Sequence, residues 1–225
     1  MSSKTITRLG LAAVMLLAVL LLPAAALAHG GAWAHGGGAA MYEVTVENLT
    51  DKQIFSPPVF ISHDSSYRLY QVRRFASNEL MAIAESGDNS KAAARAMYSR
   101  RVFDVKTAAG AILPGDSATV TVRSPRGARL SLAGMLVVTN DGFFGVDSLR
   151  LRGMSTRTYG LKALDAGTEA NNEMADWVPG LGGMMRAPTH QRIHAHAGIQ
   201  GGASIDESYD WDDPVAMLTI TPVTP

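Results

Sequence analysis

From Arg101 onward the chain alternates short β-branched runs with turn signals, and that cadence restricts the available folds more than any other feature. "RVFDVKT" (101–107) is followed by the turn "LPGDS", then "ATVTVRS" (118–124), the turn "PRG", and "ARLSLAGMLVVT" (128–139). Val120 and Val122 alternate with Thr119, Thr121 and Arg123, the period-two pattern of a half-buried strand. Strands this short, separated by Pro-Gly and Gly-Asp turns, predict an antiparallel sandwich or barrel. Two outlying segments extend the pattern. In "MYEVTVENLT" (41–50), Tyr42, Val44 and Val46 alternate with Glu43, Thr45 and Glu47, and "DDPVAMLTITPV" (212–223) closes the chain with another strand-like run. Pro57 and Pro58, lacking N–H groups, suit a sheet edge or a strand start.

One stretch, residues 77–99, breaks the β cadence. Ser77 offers a helix cap, and Leu80, Ile83 and Ala84 fall at helical spacing. The pattern restarts after Gly87 with Asp88 or Asn89 as cap and alanine-rich turns behind it. Two short helices joined at Gly87 are expected, with Leu80, Met81, Met97 and Tyr98 as packing residues.

The N-terminal segment reads as targeting. Lys4 and Arg8 precede an apolar run over 9–22, then "PAAALA", giving a positive n-region, an h-region and an Ala26-Leu27-Ala28 cleavage signal. The run is shorter than the roughly 20 residues that span a bilayer as a helix, which favours a cleaved signal over a retained anchor. The expected organisation is a signal peptide over 1–28, a flexible Gly/Ala/His leader over 29–40, and one domain over 41–222. The product would be secreted or periplasmic, with no stable membrane span after cleavage.

Loss of Lys4 and Arg8 leaves 18 basic against 20 acidic residues. That balance gives no reason to expect nucleic acid, and the pairs Arg73-Arg74 and Arg100-Arg101 read as solvated surface. The chain has no cysteine, which excludes thiol chemistry and a disulfide framework. No G-x-S-x-G elbow or G-x-G-x-x-G fingerprint is present.

Three clusters could carry chemistry. In "LVVTNDGFFGVDS" (136–148) an apolar strand ends in Asn140-Asp141-Gly142, either a plain turn or a way to aim the Asp141 carboxylate into a loop cluster. In "DAGTEANNE" (165–173), Asp165 and Glu169 lie four apart around Gly167. Two carboxylates folded together repel unless a cation lies between them, and hard oxygen ligands are what Ca²⁺ takes. The spacing is not that of an EF-hand. Two alternatives stay open: Thr168 capping a short helix over 169–177, or an acid–base carboxylate pair as in glycosidases. In "THQRIHAHAG" (189–198), His194 and His196 would share one face of an extended segment, with His190 nearby, a spacing that suits zinc or copper. His29 could join an α-amino group in chelating copper.

Taken together, "YEVTVENLTDKQIFSPPVFISHD" (42–64), "ARLSLAGMLVVTNDGFFGVDSL" (128–149), "DAGTEANNE" and "DWDDPVAMLTI" (210–220) resemble the spondin N-terminal domain family, in particular its short bacterial exported members. The resemblance implies an all-β fold: an antiparallel, C2-like β-sandwich with a small helical insertion and a calcium ion at one end. Its ligand pattern falls on Asp141, Asp165 and Glu169, with Asn140 as a supporting neighbour. Glu169 departs from the animal motif, which has an aspartate there. The implied function is that of an exported, non-enzymatic, calcium-binding module for binding or adhesion, whose partner would be an extracellular or envelope protein or glycan. The rival expectation is an envelope zinc- or copper-binding protein, or a metalloenzyme, built on His190, His194 and His196.

Overall fold

A computed structural model describes residues 39–152 and 154–223. The expected signal peptide (1–28) and the leader through residue 38, His29 included, lie outside the described residues. The alternation of Tyr42, Val44 and Val46 does form a strand, β1 (Ala39–Asn48). It lies between β4 (Ser117–Pro125) and β10 (Ala216–Val223), and β7 (Arg157–Leu161) completes a four-stranded antiparallel sheet ordered β4-β1-β10-β7. Ala39 and Ala40, expected in the flexible leader, instead pair with Pro125 and Ser124 of β4. Six strands make the second sheet, ordered β3-β2-β5-β6-β8-β9. They are β2 (Val59–His63), β3 (Val102–Thr107), β5 (Arg129–Met135), β6 (Gly142–Arg150), β8 (Ala163–Asp165) and β9 (His194–Ala195).

The two sheets enclose the main core. Tyr42, Val44, Val46, Val122, Leu218 and Ile220 from the first meet Phe60, Leu130, Leu132 and Phe144 from the second. Each large apolar side chain fully removed from water contributes about 1.5–3 kcal/mol, so this interface dominates the stability of the fold. The predicted antiparallel sandwich is therefore present.

The helical insertion covers the outer face of the six-stranded sheet. α1 (Asn78–Ser86) and α2 (Ser90–Met97) turn Leu80, Ile83, Ala84, Ala92 and Ala96 onto Val59, Ile61, Ala133 and Phe143. β2 is consequently buried on both faces and bonded on both sides, which explains its unbroken apolar run "VFI". Pro57-Pro58 thus mark a strand start and not a sheet edge. Ser77 caps α1 as expected, its Oγ accepting from Leu80 N, and α1 ends at left-handed Gly87. Met97 and Tyr98 are not packing residues: they are 59% and 91% exposed. The face of α2 that packs is the Ala92/Ala96 stripe, four residues apart, and the two following positions turn away from it.

Two further expectations change. The apolar run over 128–139 does not stay a strand to Thr139; β5 stops at Met135. Thr139 Oγ1 donates to Leu136 O and accepts from Gly142 N, so residues 136–141 form a turn that delivers Asp141 immediately before β6. Nor does a helix start at Thr168. Its hydroxyl is engaged elsewhere, and residues 169–177 hold only a short 3-10 turn at Ala175–Trp177. Among the described residues no helix is long and apolar enough to cross a membrane.

Candidate functional site

The pairing of β6 with β8 puts Asp141 and Asp165 side by side. Gly142 is opposite Asp165, and Ala166 N donates to the Asp141 carbonyl at 3.2 Å. Both carboxylates are buried, Asp141 completely. The chain then bends at Gly167, in the left-handed region at φ 72°, where a Cβ would stand 2.6 Å from the Gln191 carbonyl oxygen. Only glycine fits there. The bend turns the next two residues back onto Asp141, whose Oδ2 accepts from Thr168 N (2.7 Å), Thr168 Oγ1 (3.0 Å) and Glu169 N (3.0 Å).

Asp165 is held from its own loop. Its Oδ1 accepts from Gly167 N and its Oδ2 from Asn171 Nδ2, each at 2.6 Å. His194, opposite it in β9, brings Nε2 to 3.7 Å from Asp165 Oδ2. Glu169 is held by one oxygen only: its Oε1 pairs with Arg186 Nε at 3.3 Å. Asn140 Nδ2 donates to Asn172 Oδ1 and to the Trp177 carbonyl, both at 3.3 Å, and so ties the following loop to the turn before β6.

Charge is left over. Asp141 Oδ1 and Glu169 Oε2 are buried with no hydrogen-bond partner. Burial, and then the neighbouring Asp165 charge, raise the Asp141 pKa above the ordinary carboxylate range. Burial pushes Glu169 up to about 7; the Arg186 guanidinium opposes this, while Glu85 and Asp141 add to it. Buried carboxylates in this condition call for a cation or a proton. The donor chemistry, oxygen only and from two loops, suits a hard divalent ion. As the side chains stand, no group of three or more His, Asp or Glu among the described residues is arranged to hold a metal ion.

The histidines divide. His190 stacks on Phe75 at 4.1 Å. His194 approaches Asp165, whereas the buried His196 ring lies against Trp211 with centroids 5.1 Å apart. Gly198 N donates to His196 Nδ1, so the neutral ring carries its proton on Nε2, a buried donor without a partner. Protonated there, Nε2 is not free to ligate a metal. Burial draws this imidazole down to about 4.

Sequence reasoning missed Thr168 as a donor to Asp141 and Arg186 as the partner of Glu169. Thr168 was visible inside "DAGTE", where a hydroxyl next to a bend is as ready to bond a carboxylate as to cap a helix. Arg186 carried no signal, since an irregular loop separates it from Glu169. Glu173, the third carboxylate of the motif, anchors a loop: its Oε1 accepts from Gln200 N and its Oε2 from Gly202 N.

The family model described as Spondin_N matches residues 46–175, more than half of the chain, a span that includes both helices and the Asp141, Asp165 and Glu169 segments. No curated protein matches the chain. The family consists of extracellular, non-enzymatic modules. With the two-sheet sandwich and the quoted motifs in agreement, the chain belongs to the spondin N-terminal domain family.

Proposed function

We propose that this protein is an exported calcium-binding module without enzymatic activity, acting in binding or adhesion at or outside the cell envelope. Asp141, Asp165 and Glu169 would supply the carboxylate oxygens for the ion. Asn140 would hold the adjoining loop, as its bonds to Asn172 and Trp177 suggest. The observation that carries the reading is the pair of buried oxygens without partners, Asp141 Oδ1 and Glu169 Oε2, in a region where Asp165 adds a further carboxylate. Calcium bound there would neutralise the cluster and fix the two loops that meet at the sandwich end. The chain's own part is to hold Asp141 in place through Thr168 and Glu169 N–H groups, and Asp165 through Gly167 and Asn171.

A ligand that binds only the folded state stabilises it by RT ln(1 + [L]/Kd), which is about 2.7 kcal/mol at a hundredfold excess over Kd. The melting temperature should therefore rise with added Ca²⁺ and fall with a chelator. Melting curves that coincide in EDTA and in calcium would overturn the reading.

A further inference from the structure

A second surface lies beyond the carboxylate cluster and has a different character. Residues 71–75, "QVRRF", are exposed throughout, with Val72 and Phe75 each close to half exposed. This segment is fastened to the chain just ahead of β9: Arg73 N donates to the Ile193 carbonyl and Ile193 N donates to the Arg74 carbonyl, each at 2.8 Å. Ile193 itself is buried in the helix-side core, so the clamp has a fixed base.

Arg73 sits at φ 68°, in the left-handed region. For a residue with a Cβ that conformation costs about 1–2 kcal/mol, and it persists here because the two backbone bonds impose it. Arg192 arrives from the other side of the clamp. Its Nη1 donates to the Arg73 carbonyl at 3.1 Å, and its guanidinium lies 4.7 Å over the Phe75 ring. His190 stacks on the same ring at 10° to its plane. Arg73, Arg74 and Arg192 have no ion pair among the described residues, whereas Arg68, Arg95, Arg101 and Arg186 each have one. The result is one guanidinium, that of Arg192, fixed over Phe75 before any ligand arrives, beside the exposed Arg73 and Arg74 of the clamped segment, none of the three with an ion pair among the described residues.

We propose that this surface binds an acidic polysaccharide, one bearing sulfate or carboxylate groups. Guanidinium forks match the planar oxygens of those groups, and fixing Arg192 over Phe75 lowers the entropy lost on binding. Sugar rings offer apolar CH faces beside their acidic substituents, which suits the neighbouring exposed Val72. A duplex nucleic acid fits poorly, because its affinity comes from many phosphate contacts along a basic track. Here the basic groups form one small patch on a chain whose formal net charge is +0. The inference is independent of the calcium reading.

The test is titration of the protein with heparin, with polygalacturonate and with a DNA duplex at several salt concentrations. Arg73→Gly/Arg74→Gln/Arg192→Gln is compared with the control Arg123→Gln/Arg126→Gln. Glycine keeps the left-handed backbone at position 73 without strain, and a melting curve for each variant reports its folding. Polysaccharide binding should weaken at least about tenfold in the triple variant, with a shallower salt dependence, and hold in the control. No binding of either polysaccharide by the wild type, equal losses in both variants, or tighter binding of the duplex would overturn the proposal.

Discussion

Replacing Asp141 with asparagine and with alanine separates two jobs that the same carboxylate performs. Its Oδ2 accepts three hydrogen bonds, while its Oδ1 has no partner. Asparagine retains an oxygen for the three donors and removes a charge that burial and Asp165 both oppose. In the presence of chelator Asp141→Asn should melt at or above the wild-type temperature. Asp141→Ala strands Thr168 N, Thr168 Oγ1 and Glu169 N in a buried site. At about 1–3 kcal/mol per unsatisfied group, with partial relaxation, the loss should reach at least about 3 kcal/mol, or roughly 6–12 °C for a chain of this size. Calcium at a hundred times Kd should raise the wild-type melting temperature by about 5–11 °C and neither variant appreciably. Thermal denaturation followed by circular dichroism, in EDTA and in calcium, reads all six values. An Asp141→Asn protein that gains as much from calcium as the wild type would show that Asp141 is no ligand. An alanine variant that melts with the wild type in EDTA would refute the hydrogen-bonding role.

Gly167→Ala should lower the urea midpoint by an amount equivalent to about 2–4 kcal/mol, since it combines a left-handed backbone with a Cβ against the Gln191 carbonyl; an unchanged midpoint would contradict the bend. Burial lowers the pKa of His63, whose ring meets the Asp64 carbonyl and Ser131 Oγ, so the fold favours the neutral imidazole. The stability this provides is present above the ordinary histidine value of about 6.5 and is lost as pH falls below it. His196, drawn down to about 4, acts in the same direction. Between pH 7 and 5 the wild type should lose stability relative to His63→Gln, against the opposing gain as Glu169 and Asp141 take up protons, and parallel profiles would count against the assignment. Calcium affinity should strengthen as pH rises through about 7, where Glu169 ionises, and become flat in Glu169→Gln. A flat wild-type profile would remove Glu169 from the ligand set.

The sandwich was legible because its strands announce themselves twice, by period and by punctuation. Tyr42, Val44 and Val46 bury one face of β1, and turns at Pro114-Gly115 and Pro125 to Gly127 flank its neighbour β4. The two helices were equally plain, from Ser77 and Gly87. What escaped was tertiary. Val59, Phe60 and Ile61 gave a continuous apolar run, but only the docked helices reveal that both of its faces are buried. Met97 and Tyr98 looked apolar enough to pack, yet the alanine stripe beside them takes the contact.

At the candidate site, residue type and spacing drew attention to Asp165, Gly167 and Glu169 and left Asp141 open between a plain turn and an aimed carboxylate; the family resemblance joined the two loops. Their adjacency depends on the β6–β8 register, which no local pattern encodes. The orientation of Glu169 depends on Arg186, a residue brought in by a long irregular loop. The histidine spacing said nothing of the burial that separates exposed His194 from His196, and the Gly198 amide, which settles the tautomer of His196, could only be seen in the fold.

The most direct test of the central claim is calorimetric titration of calcium into chelator-stripped protein, wild type beside Asp141→Asn/Asp165→Asn. One calcium ion per chain in the wild type and none in the double variant is the predicted result. No calcium uptake by the wild type, or equal uptake by both proteins, would contradict it.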